Sequence, residues 1–292
     1  MSAKRCAIFG VFCCVSFCLL TYSGGWFSAL SSLLGGGIDF LVPTLTAFAA
    51  FFLPGAAFSS LTKGKNFRRT APPSPSDLMV FTISVSLFFA SLGFFIAYFY
   101  GFSYILPYAG AVTPPDDSPY FVWLIFGLII PVVMEEYFLR GVFARRAARF
   151  GTTLAVAASS ILYGMLQSSF TAFWGALISG ALFCLISEFL ATSLPIAAIR
   201  VVSIVYYRLL IGLVNTYTVY GLEYVFLLLN LIIMLISCYF LLLSIERFIK
   251  KGRKLRLRRI PQPVTKSISA FALNPGMLAF YVLYIMIVCD VI

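Results

Sequence analysis

The stretch PVVMEEYFLRGVFARR, residues 131–146, places two adjacent carboxylates and an arginine in what otherwise reads as a membrane span. Upstream the run stays apolar back to Phe121, and downstream Arg145 and Arg146 close it. The segment 121–144 is long enough to cross a hydrocarbon core, which takes roughly 20 apolar residues. Glu135 sits about 15 Å of helix before Arg145, at 1.5 Å per residue, and so lies near mid-membrane.

The rest of the chain has the same character. Of its 292 residues 61% are hydrophobic and 11% charged, with a mean hydropathy of +1.00, far from the usage of a soluble domain. Lipid gives the backbone no hydrogen-bond partners, so a chain crosses it as helices or as a closed barrel. Long unbroken apolar runs select helices over the weak alternation of barrel strands. The fold class is all-α, a polytopic transmembrane helical bundle of about eight or nine spans. They read at 6–22, 38–58, 78–98, 121–144, 152–170, 174–190, 194–210, 225–245 and 271–292. In sequence order this gives N-terminal helices and loops over 1–120, a core over 121–210, and C-terminal helices over 211–292. Lys4 and Arg5 ahead of the first run also fit a signal peptide, but no small-residue cleavage pattern follows, and the run is read as a span.

Charge placement gives an independent test, because Lys and Arg collect in cytoplasmic loops. All but three of the 21 basic residues fall in four groups: Lys4 with Arg5, the cluster from Lys63 to Arg69, the cluster from Arg145 to Arg149, and the loop 246–266. Alternating spans put all four on one side. The opposite loops carry Asp116, Asp117 and Glu223 and no base. The map expects a multi-pass protein of the plasma membrane with a cytoplasmic N-terminus and an outside C-terminus. The basic run RFIKKGRKLRLRR, 247–259, follows a span directly and is read as topology plus contact with the lipid bilayer. No aromatic stacking pattern accompanies it, so no nucleic-acid partner is expected.

Seven cysteines lie in apolar segments without a CxxC pair, which argues against a disulfide framework or a zinc knuckle. No metal or cofactor is implied. The terminal CDVI has the form of a prenylation box, but the map puts Cys289 across the bilayer, and coincidence is the simpler reading. The segments 62–77 and 108–119 read as solvated, Pro-rich loops.

The three bases outside those groups are Arg140, Arg200 and Arg208. Ionisable groups inside spans are costly and mark functional positions by default. Glu136 and Arg140 are four apart, acid before base, and stack on one helical face. Glu135 is turned about 100° away and points elsewhere. Pro131 lacks an N–H, so the spacing predicts an unsatisfied carbonyl at Gly127 and a kink beside the acids. Arg208, two turns beyond Arg200 and near the end of its span, reads as snorkelling to headgroups or pairing with Glu188. Tyr137, Tyr163 and Tyr206 can bring hydroxyls to the same region, although packing is the plainer role for each. Locking two helices together would account for Glu136 and Arg140, but not for a second carboxylate. A buried carboxylate of that kind can serve as general base for water.

With these residues the sequence resembles the CAAX-protease and bacteriocin-processing family of intramembrane glutamic endopeptidases, which carries EExxxR, then FxxxH, then HxxxN on successive spans. EEYFLR, 135–140, matches the first motif completely. YGMLQ, 163–167, and SLPIAAIRVVSIV, 193–205, follow at the family's spacing. The resemblance covers residues 135–205. It implies that Glu135 activates a water and that Glu136 and Arg140 form a structural pair. The chain has no histidine: Tyr163 and Gln167 stand at the second motif, Arg200 and Ile204 at the third. Gln167 can hold a water but cannot take its proton. Arg200 can support an oxyanion with its fixed donors, or clamp Glu135 in an ion pair.

Two functions follow as expectations. In one, the chain cleaves membrane-associated peptides without metal, with Glu135 as base, Gln167 positioning water and Arg200 holding the oxyanion. In the other it is a silenced relative that binds a hydrophobic peptide or a membrane protein, as in immunity or scaffolding. A small transporter fits less well, since no inverted repeat or pair of broken helices is evident.

Overall fold

The computed structural model describes residues 3–34, 39–61, 73–100, 120–148, 151–166, 170–190, 192–218, 221–252, 269 and 272–289. The loops 62–72 and 108–119, the stretch 253–266 and Gln167 lie outside the described residues. Among the described residues every regular element is helical. These are α1 (Ala3–Leu33), α2 (Asp39–Leu61), α3 (Pro75–Tyr100), α4 (Phe121–Ala147), α5 (Thr152–Met165), α6 (Phe170–Leu190), α7 (Leu194–Tyr217), α8 (Glu223–Lys250) and α9 (Pro275–Val288). Seven are long and apolar enough to cross a membrane, and the chain is a multi-pass membrane protein. The fifth and ninth are shorter, at 14 residues each. Asn274 caps α9 by accepting the Met277 N–H at 3.0 Å.

Contact in space groups the chain differently from the three sequence-ordered blocks. One compact unit comprises Met1–Arg69, Thr113–Cys184 and Arg256–Ile292; the other comprises Thr70–Val112 and Leu185–Leu255.

In the first unit α1 and α9 run parallel and touch backbone to backbone. A Cβ built on Gly10 would lie 2.2 Å from the Gly276 carbonyl carbon, and one on Gly276 would lie 2.1 Å from the Ala7 oxygen. Small residues are what allow such an approach where lipid offers helices no hydrophobic reason to associate. Further along, Phe17 meets Phe280 and Tyr284, each at 5.8 Å. Phe9 joins this pair to α2 and α4, edge-on to Phe58 at 5.0 Å and stacked on Phe143 at 4.4 Å.

Helices α2 and α4 also run parallel, with Phe40 against Phe126 at 5.8 Å, Phe51 against Phe138 at 5.9 Å, and the Arg146 guanidinium on the Ser59 hydroxyl at 3.1 Å. Both helices widen to i→i+5 bonding immediately before a proline. The Leu53 N–H reaches the Phe48 carbonyl ahead of Pro54, and the Ile130 N–H reaches that of Ile125 ahead of Pro131. In this register the acceptor waiting for the absent Pro131 N–H is Phe126, not Gly127 as the α-helical spacing predicts. The Thr44 hydroxyl of α2 donates to it.

Helices α5 and α6 form a tight antiparallel hairpin. Gly164 faces Phe173, where a Cβ would stand 2.8 Å from the ring, and Gly180 faces Tyr163, where it would stand 2.9 Å away. Gly151, at φ 114°, makes the turn that enters α5 from α4, a conformation that only glycine adopts without strain.

The second unit is a three-helix packing of α3, α7 and α8. Helices α3 and α7 run parallel, with the Ser203 hydroxyl on the Ser86 carbonyl at 3.1 Å and Phe94 against Tyr207 at 6.3 Å. Helix α8 is antiparallel to α3. Its buried residues are Leu227, Asn230, Ser237, Ser244 and Phe248, a narrow seam of seven-residue spacing. The Asn230 amide donates to the Ser91 carbonyl at 3.2 Å and accepts from the Tyr206 hydroxyl at 2.9 Å, so one residue ties three helices. At one end Lys251 pairs with Asp77.

Candidate functional site

Helix α4 carries the acids into the first unit. From Ile130 to Glu136 it is α-helical, and from Tyr137 to Ala144 it widens to i→i+5 bonding, a departure that recurs at functional positions. Glu135 is 1% exposed, Glu136 2% and Arg140 0%.

The Arg140 guanidinium donates from Nη1 to Glu136 Oε1 at 3.1 Å and from Nη2 to the Gly180 carbonyl at 3.5 Å. Its Cζ lies 4.8 Å above the centroid of Tyr163 and 5.9 Å from that of Phe183. The cation is thus answered by one carboxylate, one backbone dipole from α6 and an aromatic face from α5. Gly180 makes this possible twice over. Lacking a side chain, it lets α6 close on Ser160 and Tyr163, and that approach brings its carbonyl within reach of Arg140.

The site residues expected from sequence fare differently. Glu136 and Arg140 form the predicted pair, and Glu135 is buried next to them on the same helix. Gln167 is outside the described residues. Arg200 belongs to the second unit, on α7, and is 2% exposed. Arg208 is not near a helix end, because α7 continues to Tyr217. Of the tyrosines, Tyr163 supplies its ring face to Arg140. Tyr137 packs on α2, 5.8 Å from Phe52 and beside Gly55. Tyr206 spends its hydroxyl on Asn230 in the second unit.

Sequence reasoning missed Thr44, which reaches α4 from the neighbouring helix, and Asn230, the polar node of the second unit. For Asn230 a signal existed: Asn230, Ser237 and Ser244 recur every seven residues in an otherwise apolar run. For Thr44 there was none. Comparison with models of known families, with curated proteins and with solved structures found no match to this chain.

Proposed function

We propose that this chain is a divergent relative of the intramembrane glutamic endopeptidases and acts on membrane-associated peptides at the Glu135 segment of α4. The observation that carries the reading is the buried Glu136–Arg140 pair, held at 3.1 Å on α4 with Glu135 adjacent and equally buried. In this reading Arg140 and Glu136 hold the helix, while Glu135 takes a proton from water as its oxygen attacks the peptide carbonyl. The proton then passes to the departing amine, so no metal or covalent intermediate enters. The reading keeps a plasma-membrane protein with its N-terminus in the cytoplasm, supported by the basic residues that alternating spans collect on one side.

Hydrolysis of quenched-fluorescent membrane peptides in nanodiscs by wild type and Glu135→Gln tests the proposal. Turnover that disappears in a folded Glu135→Gln variant is the expected result; turnover that survives it overturns the mechanism. The second reading, a silenced binder of hydrophobic peptides or membrane proteins, is favoured by the lack of any histidine in the chain. Two folded proteins without turnover, both retaining capture of a membrane peptide, select it.

A further inference from the structure

The turn that precedes the acids is held from outside its own helix. In an uninterrupted α-helix the ring of Pro131 would press on the Gly127 carbonyl and leave it without a donor. The wider turn over Leu124–Ile129 avoids this by moving the unserved acceptor back to Phe126. There the Thr44 hydroxyl meets it. On the side of Gly127 the indole of Trp123 packs so closely that a Cβ would stand 2.6 Å from it. A carbonyl without a donor is costly inside a membrane protein, so whichever helix supplies the donor also selects the register.

We propose that Thr44 is a positioning residue: its hydroxyl holds the wide turn ahead of Pro131 and thereby sets, from α2, the rotation at which α4 presents Glu135 and Glu136. One residue of register is about 100° of helix rotation, enough to turn a buried carboxylate to a different neighbour. Everything that follows the turn moves with it, including Arg140. The functional weight of this device rests on the proposed role of Glu135, but its test reads the carboxylates directly and stands whether or not a peptide is cleaved.

The measurement is modification of Glu135 and Glu136 by a membrane-permeant carbodiimide in nanodiscs, quantified by mass spectrometry. Thr44→Val keeps the shape of the side chain and removes the donor, and a several-fold rise in modification is expected. Thr44→Ser, which keeps the donor, should stay at the wild-type level. In Pro131→Ala the backbone supplies its own N–H, so adding Thr44→Val should leave the labelling of that variant unchanged. Wild-type labelling in Thr44→Val overturns the proposal, as does an equal rise with and without Pro131. If Thr44→Val fails to fold, recovery of folding in the double variant is the same coupling read another way. Failure of both means that the hydroxyl serves something other than this carbonyl, and the proposal falls.

Discussion

A guanidinium with no exposed surface is tolerated only when its charge is answered and its donors are placed. Parts from three helices answer the charge of Arg140 and take its two terminal nitrogens: Glu136 on its own, the Tyr163 ring on α5 and the Gly180 carbonyl on α6. Removing one ionic partner strands the other, at a cost of about 3–5 kcal/mol. Arg140→Leu should therefore lower the melting temperature of the purified protein sharply, whereas Glu136→Leu with Arg140→Leu should recover most of the loss. A double variant no better than the single one would show that the guanidinium is held by its aromatic and carbonyl contacts rather than by the acid. This much of the site was legible in the sequence, since a spacing of four within an apolar run fixes both the pairing and the burial. The roles given to Gln167 and Arg200 came only through resemblance, because no local period links residues on different helices.

At the scale of elements, proline and glycine carry the information that hydropathy lacks. Apolar runs located the nine helices of the described residues, yet two of these are shorter than the runs that contain them, because a cap such as Asn274 with Pro275 sets where a helix starts inside a stretch that is apolar on both sides. The wide turns before Pro54 and Pro131 were not legible either. They depend on which donor a neighbouring helix offers, and a proline alone does not say. Glycines divide by what they face. Gly10 and Gly276 meet backbone, which cannot yield, whereas Gly25 and Gly212 have nothing within 4 Å. Gly10→Ala should open the α1–α9 crossing and cost at least about 1–3 kcal/mol, the range for overpacked cores. Gly212→Ala should stabilise α7 slightly, by up to about 1 kcal/mol, through helix propensity. Thermal unfolding followed in detergent separates the two, and equal effects would contradict the packing described for α1 and α9.

At the scale of the molecule, each unit is assembled from distant pieces of sequence. Parallel α1 and α9, parallel α2 and α4, antiparallel α5 and α6, and antiparallel α3 and α8 are the directions expected of helices that alternate along the chain. With the N-terminus in the cytoplasm, as proposed, single cysteines placed at Arg145 and at Lys250 should escape an impermeant thiol reagent in intact cells and react after permeabilisation, while one at Tyr224 should react in both. Labelling of position 145 but not 250 in intact cells would break the alternation between them. The fold class was plain from composition, and the grouping into units was not, because partners hundreds of residues apart leave no mark on local hydropathy. The glycine contact between α1 and α9 also fixes an order of events during synthesis. At about 5–20 residues per second, α1 waits on the order of half a minute in the membrane before α9 leaves the ribosome. Through that interval the face around Gly10 lacks the helix that covers it in the finished chain. The first unit therefore closes only once α9 has been made.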